Sequence, residues 1–258
     1  MINNSSLVER LSIRTQRLES SIESNFTPDM AHVTESSSYV ALTGNALDII
    51  GENLKNQPLS LNMLDVVKSP TGGSTVFSIP GLSGDEAAQV LTGIILNYTT
   101  PRAYWDTPTP VEGTLPICMS QDSITSNDGK ACAQCPYNDY GSKDGESNAK
   151  ACKESVLLYL LRPNNILPLL IRVPVSSKAR FLKYTARLAG VLVPLCGVVT
   201  RISLIRATSK AGKPYALFNF EAISMLSQDD ILQARSYSRQ LMEIIRTVNV
   251  TQKSATAF

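Results

Sequence analysis

The chain has 258 residues, of which 43% are hydrophobic, 18% charged and 6% aromatic. This is a globular composition with room for one large domain or two small ones. Its 24 Lys+Arg against 22 Asp+Glu give a formal charge of +2, a total that selects no partner. The longest apolar runs, at 190–199 and 156–161, are far shorter than the roughly 18 residues a membrane span needs. Residues 1–6 also lack the charged-then-apolar pattern of a secretion signal, so a soluble cytoplasmic chain is expected. The single histidine, His32, has no companion motif. Hydrolysis by Ser-His-Asp or Cys-His, two-His zinc proteolysis and HNH-type cleavage each need histidine beside other groups and are excluded. Neither a G-x-x-x-x-G-K-[ST] phosphate loop nor a G-x-G-x-x-G turn occurs, so nucleotide-driven chemistry has no support.

Residues 1–24 carry Leu7, Leu11, Leu18 and Ile22 at near-helical spacing between charged residues, which predicts an amphipathic helix. A Ser/Thr-rich stretch follows. Residues 45–56 read as a short helix, and 60–68 and 75–79 as short extended pieces. From 89 to 105 the chain is β-rich and is broken late by Pro101.

Residues 106–153 are rich in Asp, Gly, Ser, Asn, Pro and Lys. Such a segment is too polar to build a core of its own. It holds Cys118, Cys132, Cys135 and Cys152, four of the chain's five cysteines, spaced C-x13-C-x2-C-x16-C. An odd cysteine count without a secretion signal argues against a disulfide scaffold. One turn around Cys132-Ala133-Gln134-Cys135 can present two thiolates to one ion, with Cys118 and Cys152 as the other corners of a tetrahedron. A structural Zn²⁺ that folds the insertion is the expectation. A four-cysteine iron–sulfur cluster meets the same ligand count, and a chance grouping of free thiols is the plain alternative. Cys196, in an apolar run, reads as a small core residue.

Two strands, 155–162 and 166–173, flank the hairpin signal Pro163-Asn164-Asn165. Ser176-Ser177 is expected to cap a helix ending at Gly190. Two further strands, 197–207 and 215–223, are joined by a polar turn. The order is strand, insertion, strand, strand, helix, strand, strand, which is that of a mainly β, five-stranded Greek-key barrel of the oligonucleotide-binding (OB) type, with one helix between strands 3 and 4. A mixed α+β sheet has a similar order. Ser227-Gln228-Asp229-Asp230 opens a final helix, with an apolar stripe of Ile231, Ala234, Tyr237, Leu241, Ile245 and Val248. The expected organisation is an N-terminal segment over 1–75, an OB-like domain over 76–224 interrupted by the 106–153 insertion, and a C-terminal helix with a frayed tail over 225–258.

The charge is unevenly spread. Residues 150–220 hold 12 basic groups and one acid, Glu154, whereas 106–149 hold 2 basic and 7 acidic groups. A cationic surface of this kind attracts a polyanion and releases its counterions. The candidate cations are Arg102, Arg162, Arg172, Lys178, Arg180, Lys183, Arg187, Arg201, Arg206, Lys210 and Lys213. The interleaved aromatics Tyr98, Tyr104, Trp105, Tyr159, Tyr184 and Tyr215 are candidate stacking platforms for single-stranded bases. On the central helix, Arg180, Lys183, Tyr184 and Arg187 are expected to share one face, opposite Phe181, Leu182, Thr185 and Leu188. Single-stranded DNA is the expected partner, RNA being equally compatible with the residues. The terminal helices offer a surface for a homo-oligomer.

The blocks Pro116-Ile117-Cys118-Met119-Ser120, Ala131-Cys132-Ala133-Gln134-Cys135-Pro136 and Ala149-Lys150-Ala151-Cys152-Lys153 carry a resemblance to another group of proteins. With Pro174-Val175-Ser176-Ser177 and the strand over 213–221, they make the chain resemble the single-stranded-DNA-binding proteins of phages and mobile elements. The resemblance covers about half of the chain, from Asn97 to Glu221. It implies an OB fold with a zinc-binding insertion that shapes one wall of a cleft, a non-enzymatic role in replication or recombination, and a bacterial or phage-infected host cell. Residues 253–258 depart from it, because they lack the acidic tail through which many such proteins recruit partners. Two other functions fit the residues. One is a protein-interaction module whose basic region docks an acidic surface. The other is a nucleic-acid-processing enzyme, for which the adjacent acids Asp85-Glu86 and Asp229-Asp230, expected at helix starts, would be metal ligands.

Overall fold

Residues 90–99, VLTGIILNYT, set the architecture. They are apolar at odd and even positions alike, as a strand covered on both faces must be. In the computed structural model, residues 45–255 are described except 56, 58, 69, 71, 108–115, 144–147, 210 and 211. The helix expected over 1–24, His32 and Lys210 lie outside the described residues. Along the chain run α1 (Asn45–Leu54), β1 (Val66–Val67), β2 (Phe77–Ile79), β3 (Glu86–Ala88), β4 (Val90–Thr99) and β5 (Arg102–Tyr104). There follow β6 (Cys118–Ser120), β7 (Lys153–Leu161), β8 (Leu169–Pro174), α2 (Val175–Gly190), β9 (Val198–Thr208), β10 (Pro214–Met225) and α3 (Gln228–Ala255).

The main sheet has the order β1-β8-β7-β4-β9-β10, and β5 and β6 extend it beside β7. All neighbours are antiparallel except β1, which lies parallel to β8. The first half of β4 pairs with β9 and the second half with β7. Register shifts between Ile95 and Asn97, and between Ala222 and Ser224, mark bulges that increase local twist. The result is a mainly β chain whose sheet curls into a half-barrel. At Gly93 a Cβ would lie 2.3 Å from the Leu161 carbonyl oxygen, so only glycine admits the close approach of β4 and β7.

Two cores lie on the two faces of this sheet. The inner one gathers Leu91, Ile95, Leu158, Ile171, Ile202 and Phe218 around Phe181, Tyr184 and Leu188 of α2. The outer one gathers Ile94, Leu96, Leu157, Tyr159, Leu161 and Leu170 beneath Ala234, Tyr237, Leu241 and Ile245 of α3, with Leu59 and Leu64 beside them. The Ser227 hydroxyl accepts the Asp230 N–H at 3.2 Å and donates to the Asp230 carboxylate at 2.7 Å, the cap expected for this helix. Cys196 is buried in the outer core, as expected.

The edges of the half-barrel, the short β1 beside β8 and β10 at the other end, are not hydrogen-bonded to each other among the described residues. Two features span the gap. Phe77 of β2 packs on Phe218 of β10 with ring centroids 5.7 Å apart. In addition, fully buried Ser177, three residues beyond the end of β8, accepts the Phe218 N–H at 3.0 Å. This corrects the expected cap. The residue preceding α2 is Pro174, with no side-chain cap, and the Ser177 hydroxyl serves the free edge of β10 instead.

Candidate metal centre and nucleic-acid interface

The insertion leaves the sheet at β5 and returns at β7, and β5 holds both ends. Tyr104 is opposite Cys118 on β6, and Ala103 is opposite Lys153 on β7. Cys118 therefore opens β6 and Cys152 immediately precedes β7, on either side of one short strand. Cys132 begins a 3-10 turn over Cys132–Gln134, and Cys135 ends it. Backbone bonds hold these positions, with the Cys132 N–H on the Ile124 carbonyl and the Cys152 N–H on the Tyr137 carbonyl, both at 2.8 Å. The Asn138 side chain donates to the Cys132 carbonyl at 3.0 Å.

Asp122 builds the first turn of the insertion, its carboxylate accepting the N–H groups of Ile124 at 2.8 Å and Thr125 at 3.1 Å. These bonds hold its carboxyl below the usual range. Ser126, buried, closes the next turn through the Lys130 N–H and carbonyl. The polar composition is thus spent on turns.

All four cysteines line one open cavity of about 720 Å³, together with Tyr104 and Asp128. None of them is joined in a disulfide. Burial pushes the Cys118 thiol up, with further upward pushes from Asp128, Cys135 and Cys132 and a downward one from Ser126. Burial likewise raises Cys152, opposed by Arg102 and reinforced by the other three cysteines. Among the described residues no group of three or more His, Cys, Asp or Glu side chains is arranged to hold a metal ion.

Beside the cavity, the Glu154 carboxylate takes two cations. Arg102 pairs with it at 3.2 Å, and Lys178 of α2 also pairs with it. Arg102 further donates to Asn138, as does Lys150 at 3.1 Å. Arg102 is therefore a strut between the insertion and the sheet, and Lys178 is tied to the same carboxylate.

The predicted aromatics divide sharply. Tyr159 and Tyr184 are corrections. Both are buried, Tyr159 beneath α3 and Tyr184 in the inner core, where its hydroxyl meets Thr200 at 2.7 Å. The expected split of α2 fails for the same reason, since Tyr184 faces inward with Phe181 while Leu182 is exposed. Tyr98 packs edge-on against Phe181 at 4.9 Å. Tyr104 stacks on Tyr137 at 4.1 Å and 15°. Trp105 and Tyr215 are half-buried. Sequence reasoning passed over Tyr137 and Tyr140, both exposed, with the Lys150 ammonium 4.4 Å from the Tyr140 ring centroid. Their signal was two tyrosines in a run too polar to bury them.

Among the predicted cations, Arg172 donates to the Ser155 hydroxyl at 3.0 Å, and Arg201 pairs with Glu221 at 3.7 Å. Arg162 is half-buried after β7, its Nε without a hydrogen-bond partner among the described residues. Arg180, Lys183, Arg187, Arg206 and Lys213 are exposed. None of these five has an ion-pair partner among the described residues. On α2 the first three fall at i, i+3 and i+7, beside Tyr184, which itself rests on Phe220 of β10 at 5.9 Å.

The acid pair Asp85-Glu86 stands at the start of β3 and not of a helix, and Asp85 is engaged by Lys68 at 3.0 Å and Ser78 at 2.8 Å. No described helix is long and apolar enough to cross a membrane. Comparison with protein-family models, curated proteins and solved structures returns no match.

Proposed function

We propose that this chain binds single-stranded nucleic acid, DNA by its resemblance, without catalysing a reaction on it. The observation that carries the reading is the set of exposed cations on α2 and around the β9–β10 hairpin, which have no internal counter-ion among the described residues. A polyanion supplies the missing charge and gains entropy by releasing counterions. The strand order β8-β7-β4-β9-β10 with a helix between β8 and β9 is the order of an OB barrel opened between its third and fifth strands, which supports that fold as the scaffold. Titration of the full chain with fluorescent oligo(dT) at low salt tests the reading. Binding that weakens as salt rises is expected, and absence of binding at low salt overturns it.

In the same proposal, Cys118, Cys132, Cys135 and Cys152 hold a structural Zn²⁺. The support is their convergence on one cavity from β6, a 3-10 turn and the start of β7. Four thiolates leave no open position for chemistry, so the ion fastens turns that have little apolar packing of their own. Metal analysis of the purified chain is expected to find stoichiometric zinc that is lost in Cys132→Ser. Unchanged metal content in that variant overturns the ligand set.

A further inference from the structure

The proposed function leaves open where bases would lie. Alternation along β9 and β10 sends Val198, Ile202, Leu204 and Phe218 into the inner core, so Arg201, Ile205, Tyr215 and Leu217 face outward. Along β4, Leu91 and Ile95 face inward while Ile94 enters the outer core, so Val90 also faces outward. The register places Tyr215 opposite Ala207, Ile205 opposite Leu217, and Ser203 opposite both Val90 and Asn219. Arg201 is opposite its ion-pair partner Glu221, so the face is apolar at its hairpin end and polar toward Arg201. These side chains therefore form one continuous patch. α3 covers the outer face over β7, β8 and the middle of β4, and among the described residues this end is left partly open, with Tyr215 and Leu217 half-buried. Val90, at the start of β4, and Ile205, within β9, are each 44% exposed, and it is their grouping into one patch that marks an interaction surface. Arg201 lies within the patch, and Arg206 and Lys213 lie at its hairpin end.

We infer that this outer face of β9–β10 and the start of β4 is the surface on which unpaired bases stack. The inference rests on the proposed function and deepens it. An apolar, aromatic-bearing face with a cationic rim matches a single strand, which offers flat apolar bases and phosphates together, and does not match a duplex, whose bases are already stacked. The outer face of β7 and β8 cannot serve, because Leu157, Tyr159, Leu161 and Leu170 are buried there. The insertion is a poor host for phosphates, since residues 106–149 hold 7 acids and 2 bases. β10 joins both halves of the site, because its inward Phe220 carries Tyr184 of α2 beside the basic row, while its outward residues make the patch.

The test uses the full chain, anisotropy of labelled oligo(dT) and a salt series. Tyr215→Ala and Ile205→Ser are each expected to weaken binding by about 5- to 100-fold, the loss of one stacked base or its apolar support, with the salt slope unchanged. Tyr215→Phe, which keeps the ring, is expected to bind like the unaltered chain. Lys213→Gln is expected to reduce the slope of log K against log salt by about 0.7. Should Tyr215→Ala fail to fold, Ile205→Ser at its exposed position decides. Unaltered affinity in the folded stacking variants, while the parent chain binds oligo(dT), overturns the placement and spares the proposed function. A parent chain that does not bind overturns both. Photocrosslinking of a 5-iododeoxyuridine oligonucleotide is expected to mark residues 201–221, and a crosslink confined to 132–152 would overturn the placement.

Discussion

The seam of the half-barrel is its most exacting contact. Ser177→Ala removes one hydroxyl from a fully buried position and leaves the Phe218 N–H, also buried, without its acceptor at 3.0 Å. Alanine fits the space and favours the helix, so neither overpacking nor lost helix propensity enters. The cost is that of an unsatisfied buried donor, about 1–3 kcal/mol. For a domain of this size each kcal/mol moves the melting temperature by roughly 2–4 °C, so a drop of about 4–8 °C is expected for a mid-range loss of ~2 kcal/mol. Urea unfolding is expected to show a lower midpoint with an unchanged slope, because the same surface is exposed on unfolding. Amide exchange supplies the local reading, with the Phe218 N–H losing protection more than its neighbours along β10. A variant within about 0.3 kcal/mol of the parent, with Phe218 still protected, would refute the role of Ser177 as the closure of the seam.

Gly93→Ala places a methyl carbon 2.3 Å from the Leu161 carbonyl oxygen; because the obstacle is backbone, β4 and β7 must part. A loss of about 3 kcal/mol or more is expected by thermal denaturation, and a parent-like melting curve would show that the strands slide freely. Tyr184 and Tyr237, which burial pushes up to about 12, contribute to the pH dependence of stability at its alkaline end together with the raised Cys118, Cys152 and Cys196 thiols. The unfolded chain releases the two phenol protons near pH 10 and the folded chain near 12, so the phenols leave stability unchanged below about pH 10 and erode it as pH rises above that. Each contributes roughly 2–3 kcal/mol to the loss. Urea midpoints that stay level between about pH 10 and pH 12 would refute their burial as neutral phenols, and Tyr237→Phe is expected to make the alkaline slope shallower.

Residues 150–225 were legible because their signals are local. Runs such as 156–161 are too short for a helix and too apolar for a loop. The breaks at Pro101, at Pro163-Asn164-Asn165 and at Gly190 fall where the elements end. The turn that carries Cys132 and Cys135 was legible for the same reason, since their spacing alone puts them on one turn. The destinations of side chains were not legible. The run 156–161 is apolar at every position and does not say what covers the face that Tyr159 takes; only the position of α3, fixed by residues more than 70 positions later, makes that face a core. Ser177 has the sequence appearance of a cap, yet its partner is 41 residues away. β1 is two residues long and acquires its strand character entirely from β8.

The placement of Glu154 explains why the basic region keeps its field. It is the one acid among residues 150–220. It is only 17% exposed and is committed at the root of the insertion to Arg102 and Lys178. A carboxylate with two cations has no capacity to neutralise a third. Arg201 is screened from outside that stretch, by Glu221, and 48% of its side chain remains exposed. Arg180, Lys183 and Arg187 on α2, and Arg206 and Lys213 at the hairpin, thus face water with like-charged neighbours, which costs stability by self-repulsion. The acidic insertion carries charge of the opposite sign, but its carboxylates Asp122 and Asp128 are committed to its own turns, through Ile124, Thr125 and Ser126. Under the proposed function the counter-charge for the basic row comes from a polyanion, whose flat apolar faces would also use the outer face of the sheet on the far side of β10.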